Sequence, residues 1–166
     1  MPVPSHIFRE YDVRGVVDRD LTDETVSLLG RAFGTWLRRR GVSSATLGGD
    51  CRLSSNRFKD LVAAGLQACG VDVIDIGTVP TPVLYFSMFD RDVDAGVMVT
   101  GSHNPKDFNG FKLCAGRTAL WGEAIQEVRR IAESGDFETG DAPRTSVDVV
   151  PAYRRRLVSD ARLGPR

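Results

Sequence analysis

The sequence predicts a three-layer α/β/α domain, in which helices cover both faces of a mixed, mostly parallel sheet. Helical and strand-like hydrophobic patterns alternate along the chain, as in α/β domains. Residues 94–99 form an almost continuous apolar run, which is typical of a strand buried on both faces. With 166 residues, the chain is long enough for one domain with a substantial hydrophobic core.

The first predicted helix begins after Thr22 and ends near Gly41. Thr22 is a good N-cap, and the acidic pair at residues 23–24 lies where the helix dipole favours negative charge. Gly41 supplies the usual stop. The apolar stripe predicted to face the core consists of Val26, Leu29, Phe33, Trp36 and Leu37.

Two further strand–helix units follow this helix. A short strand at residues 45–47 leads into the loop GGDCR, and a second helix begins at Ser54 or Ser55 and ends at Gly70. Residues 71–76 are rich in β-branched side chains and predict another strand. Thr81 and the proline after it are typical of a cap and a first helical position, so a short helix is predicted up to residue 89.

The remaining pattern predicts the end of the domain and a connection beyond it. Residues 109–114 are expected to form a strand beside residues 94–99, and a helix follows around residues 125–131. Residues 135–146 have the composition of a linker, and Pro151 opens a last helix. We therefore predict a domain at residues 1–134, and at residues 135–166 a linker and the start of a connection to a second domain.

Composition excludes several classes of function. The formal net charge is zero, so no overall field attracts nucleic acid or an anionic membrane. No apolar run is long enough to span a bilayer, and the N-terminus does not resemble a signal peptide. The three cysteines lack the spacing of a disulfide framework or a zinc site. A cytoplasmic protein without nucleic-acid or membrane partners is expected.

The stretch TGSHNP, residues 100–105, places a serine hydroxyl at the end of a predicted buried strand. Ser102 has three interpretations: a loop serine, a hydrolase nucleophile or a phosphoryl carrier. A nucleophile elbow needs glycine two residues before and two after the serine, and Thr100 and Asn104 occupy those positions. A phosphoryl carrier needs a rigid position and nearby cations. The candidate cations are Arg9, Arg14, Arg52, Lys106 and Lys112.

Several motifs together resemble the α-D-phosphohexomutase family. FREYDVRG, GGDCRLSS, GTVPTPVLYF, TGSHNPKDFNGFKL and PAYRRRL occur in the order seen in that family. The chain is most similar to the N-terminal domain of its bacterial phosphomannomutase/phosphoglucomutase branch. The resemblance implies a four-domain enzyme that interconverts hexose 1- and 6-phosphates through a phosphoserine and a 1,6-bisphosphate. The expected partners are therefore hexose phosphates and the remaining domains of the same enzyme.

The resemblance also implies roles for individual residues. Ser102 would carry the phosphate, which would contact Mg²⁺ together with Asp ligands from a second domain. Arg14 and Lys112 would spread the developing charge, while His103 or Lys112 would move the sugar hydroxyl proton. Glucose 1,6-bisphosphate, or its mannose counterpart, would activate the enzyme. The substrate-binding set implied by the resemblance is Tyr11, Arg14, Ser102, Asn104 and Lys112.

Some residues near these motifs have structural interpretations instead. Asp50 and Arg52 are expected to pair and hold the GGDCR loop. Gly49 departs from the family, which often has a bulkier residue there, and Cys51 is expected to be passive. Two alternatives stay open: a free-standing binding or regulatory module, and a serine hydrolase.

Overall fold

A seven-stranded mixed sheet organises residues 3–162, the part of the chain that this computed structural model describes. The strands are β1 (Val13–Val16), β2 (Ser44–Gly49), β3 (Asp72–Thr78), β4 (Ala95–Val99), β5 (Phe108–Ala115), β6 (Thr118–Ala119) and β7 (Arg144–Ser146). Their order in the sheet is β1-β5-β4-β2-β3-β7, and β6 pairs with β5 outside this order.

The sheet has a parallel part and an antiparallel part. Strands β4, β2, β3 and β7 run parallel to one another. Strand β5 pairs antiparallel with β4, with β1 and with β6. The predicted mixed, mostly parallel sheet is confirmed, and the carboxyl ends of β2, β3 and β4 meet at one edge.

Helices cover both faces of this sheet, which confirms the predicted three layers. Val97 and Met98 are neighbours on β4 but belong to two different hydrophobic cores, because successive strand residues point to opposite faces. The helices are α1 (Asp23–Arg38), α2 (Ser55–Gln67), α3 (Thr81–Asp90), α4 (Glu123–Ser134) and α5 (Val150–Asp160). Helices α1, α2 and α4 cover the larger core, and α3 and α5 cover the smaller.

Capping chemistry sets some of these helix ends. Thr22 Oγ1 accepts a hydrogen bond from the Thr25 amide at 3.2 Å, as predicted for the start of α1. Gly41 and Gly70 follow α1 and α2 with φ near +76°, where glycine is favoured. Ser54 occupies the N-cap position of α2, as predicted, but its side chain makes no capping bond.

The structure contains strands that the sequence patterns did not predict. Strand β1 carries Arg14 and pairs with β5, whereas no strand was expected at this position. Strand β7 lies inside the segment predicted as a linker and extends the sheet beside β3. Its three residues are all exposed, so they carry no hydrophobic pattern to detect. The proposed domain limits at residues 134 and 135 stay predictions. Among residues 3–162, no helix has both the length and the apolar character needed to cross a bilayer.

Candidate functional site

An open cleft of about 870 Å³ lies where the loops after β2, β3 and β4 meet. The β2 loop contributes Asp50 and Arg52, the β3–α3 connection contributes Thr81, and the β4 loop contributes Ser102 and Lys106. Ligand sites in open α/β sheets lie outside the carboxyl ends of the strands. The cleft therefore occupies the position that the sequence predicted for a site.

Ser102 lies on the cleft rim in an unusual backbone conformation. Its φ is +50°, in the left-handed region that non-glycine residues rarely adopt, and its side chain is exposed. The Ser102 amide donates to Thr100 Oγ1 at 3.0 Å, and both nitrogens of Asn104 donate to the Gly101 carbonyl at 2.9 Å. His103 Nδ1 lies 3.3 Å from Ser102 Oγ. The hydroxyl is therefore presented to solvent by a loop with its own internal bonds.

The guanidinium of Arg52 holds this loop in place through hydrogen bonds to its backbone carbonyls. One terminal nitrogen donates to the carbonyls of Pro105 at 2.6 Å and Phe108 at 2.8 Å. The other donates to the carbonyls of Asn104 at 2.7 Å and Ser102 at 3.3 Å. Arginine can do this because its donors are arranged in a rigid planar fork. Arg52 is thus occupied by backbone carbonyls and serves as a structural support.

Gly101 and Asp50 complete the support. A Cβ at Gly101 would overlap the guanidinium of Arg52, so a side chain there would displace that group from the loop. Asp50 accepts bonds from the Gly101 amide at 3.0 Å and from Ser55 Oγ at 2.5 Å, and it lies 3.5 Å from Arg52 Nε. Burial by itself would raise the pKa of Asp50, but these hydrogen bonds outweigh it and lower the pKa. The predicted pairing of Asp50 with Arg52 is confirmed.

Arg14 and Lys112 lie on the same face of the sheet, on neighbouring strands. Arg14 on β1 pairs with Gly110 on β5, and the Thr100 amide donates to the Gly110 carbonyl at 2.9 Å. Arg14, Gly110 and Thr100 therefore form one row across the sheet, with about 5 Å between neighbouring strands. Lys112 lies two residues after Gly110 on the same face of β5, and it pairs with Met98 on β4. The two cations thus lie on the face of the sheet beside the end of β4, and neither of them lines the cleft.

The absence of a side chain at Gly110 permits this arrangement. A Cβ at that position would lie 2.6 Å from the Val13 carbonyl oxygen and 2.9 Å from Arg14 Cβ. Any larger residue would push β1 away from β5 or displace Arg14. The glycine of the NGFK motif therefore has a steric role in the row that holds Arg14.

Sequence reasoning missed Asp12, which contacts both cations. Asp12 Oδ1 lies 3.4 Å from Arg14 Nε, and Asp12 Oδ2 lies 3.8 Å from Lys112 Nζ. The carboxylate is two residues before Arg14 in FREYDVRG, the spacing that puts two side chains on one face of an extended strand. This spacing predicts a shared face only if residues 13–16 form a strand, and the sequence pattern did not predict that strand.

The other predicted residues have less definite positions. Tyr11 is 66% exposed in the turn between Phe8 and Val13, where these two residues form an isolated bridge, and it does not line the cleft. Arg9 is exposed in the same turn, while Lys106 lines the cleft. The direct contacts of these side chains with a substrate stay predictions.

The departure at Gly49 has a local explanation. A Cβ there would lie 3.0 Å from Lys59 Cδ, so the buried stem of Lys59 would have to shift slightly to admit a side chain at residue 49. Cys51 is exposed at the cleft.

The described residues do not by themselves form a magnesium site. Within residues 3–162, no group of three or more His, Cys, Asp or Glu side chains is arranged to hold a metal ion. Asp50 lines the cleft, but its carboxylate oxygens already accept bonds from the protein. A bound Mg²⁺ needs several oxygen ligands, so further ligands would have to come from outside these residues.

Comparison with known protein families shows to which family the chain belongs. The family model described as "Phosphoglucomutase/phosphomannomutase, alpha/beta/alpha domain I" matches residues 5–139. The chain belongs to this family. The family predicted from the motifs is therefore confirmed.

Curated relatives agree with this assignment. The chain is 42% identical over 158 residues to a phosphomannomutase/phosphoglucomutase of Pseudomonas aeruginosa, covering 95% of the chain and 34% of that relative. It is 40% identical over 159 residues to a phosphoglucomutase of Neisseria gonorrhoeae, covering 95% of the chain and 35% of that relative. The chain thus spans about a third of the length of these relatives.

Solved structures share the fold. A phosphoglucomutase/phosphomannomutase family protein from Burkholderia thailandensis superimposes with a TM-score of 0.94 at 38% identity, covering 98% of this chain and 37% of the other. A phosphoglucomutase from Paramecium, parafusin, superimposes with a TM-score of 0.75 at 13% identity, covering 96% and 35%. The second match shows only that the fold is the same.

Proposed function

We propose that this chain is the phosphoserine-carrying domain of a phosphohexomutase that interconverts hexose 1- and 6-phosphates, with glucose and mannose as the sugars. The main observation behind this proposal is the exposed Ser102 hydroxyl, which lies on a loop fixed by Arg52 and beside a cleft at the strand ends. The mutase names of the relatives and the family match support this proposal and do not favour a non-catalytic module.

The proposed phosphoryl transfer uses Ser102 and the residues assigned around it. A phosphate on Ser102 would move to a sugar hydroxyl as its bond to Ser102 Oγ breaks and a new bond to the sugar oxygen forms. The sugar hydroxyl would lose its proton to His103 or Lys112. The resulting 1,6-bisphosphate would return its other phosphate to Ser102, and the hydroxyl released on the sugar would regain a proton. Ser102 is therefore regenerated as phosphoserine after each turnover.

Arg14 and Lys112 would provide the electrostatic part of this reaction. Charge in phosphoryl transfer spreads over the phosphoryl oxygens, and fixed cations stabilise it. Tyr11 and Asn104 are the further residues that we assign to substrate binding. Asn104 would act by shaping the loop, because both its nitrogens bond to the Gly101 carbonyl.

The remaining parts of the proposal lie outside the described residues. Mg²⁺, when bound, would neutralise phosphate charge. This chain would contribute to its site through the phosphate of Ser102, and Asp side chains from another domain would complete it. A 1,6-bisphosphate of glucose or mannose would activate the enzyme by phosphorylating Ser102. We place the enzyme in the cytoplasm.

The test uses the full-length protein that contains this chain, incubated with glucose 1,6-bisphosphate and Mg²⁺. Intact mass and peptide mapping should find one phosphoryl group on Ser102. Ser102→Ala should lower kcat by more than roughly 10³-fold, because the acceptor oxygen is missing. The remote exposed Ser134→Ala is the control and should match the parent. An unphosphorylated Ser102, together with an active Ser102→Ala enzyme, would refute the proposal.

A further inference from the structure

We propose that Asp12 is a positioning residue that holds Arg14 and Lys112 side by side as the cation pair serving Ser102. The inference rests on the proposed function and extends it to a residue outside the predicted site. The Asp12 carboxylate faces one cation with each oxygen, at 3.4 Å from Arg14 Nε and 3.8 Å from Lys112 Nζ. All three side chains are partly buried, with exposed fractions of 21% for Asp12, 36% for Arg14 and 28% for Lys112.

Strand register explains why these three side chains meet. Val13 pairs with Phe111 in the antiparallel β1–β5 ladder. One more step along the ladder places Asp12 opposite Lys112, and Arg14 follows Asp12 by two residues on the same face. The backbone fixes Asp12 as well, because its carbonyl accepts the Arg9 amide at 2.9 Å. The carboxylate is therefore set between the cations by the main chain.

Two cations on neighbouring strands repel each other unless an anion lies between them. Without the Asp12 charge, the Lys112 side chain would turn toward solvent and away from Arg14. With it, Lys112 stays beside Arg14 on the face of the sheet that the two side chains share. Held there, Lys112 serves phosphate as a cation, and His103, whose Nδ1 lies 3.3 Å from Ser102 Oγ, is the proton acceptor.

Other titratable groups near Lys112 do not replace Asp12. Cys114 lies two residues further along β5, and burial raises the pKa of its thiol to about 12. Tyr85 of α3 lies near Cys114, and burial also raises the pKa of its hydroxyl. Both groups are neutral near pH 7, and the cross-strand partner Met98 carries no charge. The carboxylate that pairs with Lys112 in the described structure is that of Asp12.

The lysine content of the chain makes a direct test possible. Only Lys59, Lys106 and Lys112 are present, so side-chain NMR of lysine-labelled protein can follow each amine separately. In Asp12→Asn we expect the side-chain resonances of Lys112 to move toward those of a free, solvated lysine, with the resonances of Lys59 and Lys106 unchanged. Asp12→Glu keeps the charge and should restore most of the parental Lys112 spectrum. Asp18→Asn, which removes an exposed carboxylate paired with Arg57, is the matched control.

Kinetics of the full-length protein give a second measurement. Asp12→Asn should lower kcat and Asp12→Glu should recover most of it, whereas a merely structural role of this side chain would not favour the charged variant over the neutral one. Unchanged Lys112 side-chain resonances in a folded Asp12→Asn chain overturn the inference. If Lys112 does shift while Ser102→Ala remains active, the role of Asp12 stands and the proposed function is what fails.

Discussion

At the scale of single residues, the Ser102 loop depends on one contact that only glycine allows. The planar guanidinium of Arg52 lies against Gly101 and donates to four carbonyls of the loop. Hydrogen bonds from a charged donor are stronger than those between neutral groups, so the loop and Arg52 stabilise each other. This contact stabilises the positive φ of Ser102, a backbone conformation that usually requires glycine. The hydrogen bonds of the loop offset the backbone strain at Ser102.

We predict that Gly101→Ala disrupts this loop. The added methyl group would overlap the guanidinium, and Arg52 or the backbone must move. The expected loss of unfolding free energy is about 1–3 kcal/mol, with shifted amide resonances across residues 100–108. Denaturant unfolding and NMR spectra provide the measurements.

Arg52→Met is the companion variant, because it keeps the apolar stem and removes the donors. It should perturb the same amides as Gly101→Ala. Arg91→Met, which removes an exposed arginine bonded to its neighbour Asp90, should leave them unchanged. A Gly101→Ala protein with parental stability and an unaltered loop spectrum would contradict this account of the site.

At the scale of elements, an ion cluster around the buried Lys59 and Asp75 joins α2, β3 and β7. Asp75 on β3 accepts from Lys59 of α2 at 2.8 Å and from Arg144 of β7 at 2.5 Å. The Gly77 amide donates to the same carboxylate at 2.8 Å. Burial by itself would raise the pKa of Asp75, but the bonds from Lys59, Arg144 and Gly77 outweigh it and lower the pKa. The polar strand β7 is thus attached to the sheet edge by charge as well as by backbone pairing.

We predict that Asp75→Asn costs about 3–5 kcal/mol of unfolding free energy at pH 7, because it leaves the buried Lys59 without its counter-ion. The double variant Lys59→Met/Asp75→Asn should recover part of that loss. Urea unfolding of the parent, the single variant and the double variant measures these differences in the free energy of unfolding. A double variant less stable than Asp75→Asn would argue against a coupled pair.

The same carboxylate predicts an acid dependence. A group whose pKa is lower in the folded than in the unfolded chain adds stability above its unfolded value, about 3.9 for Asp. That stability disappears as the pH falls through the folded value. Between about pH 5 and pH 2 the parent should therefore lose stability more steeply than Asp75→Asn, which cannot titrate at this position. Parallel slopes for the two proteins in urea melts would refute the assignment.

At the scale of the whole molecule, the sheet separates two cores and hides two of the three thiols. Cys114 belongs to the smaller core under α3, while Cys69 lies against α1, with its sulfur 3.3 Å from the Arg31 carbonyl. Cys51 is exposed at the cleft. Thiol reactivity therefore distinguishes the exposed thiol at the cleft from the two buried thiols, which react only when the fold opens.

We predict that iodoacetamide at pH 8 labels Cys51 first. Cys69 and Cys114 should react at least about a thousandfold more slowly, because their exposure requires unfolding and burial raises the pKa of Cys114 to about 12. Mass spectrometry of labelled peptides gives the rates, with Cys51→Ser as the control. Labelling of Cys114 at the rate of Cys51 in native buffer would show that the smaller core opens independently.

The sequence by itself was enough to predict the layers, the family and Ser102 at a strand end. Hydrophobic periodicity is local, and motif order is visible along the chain. The tertiary structure alone decided which residues support that serine. Arg52 and Asp12 act on residues that are about 50 and 100 positions away in sequence, and β1 and β7 are recognisable only through the strands beside them. Such contacts depend on strand register and on the space left by Gly101 and Gly110, and neither leaves a periodic signal in the chain.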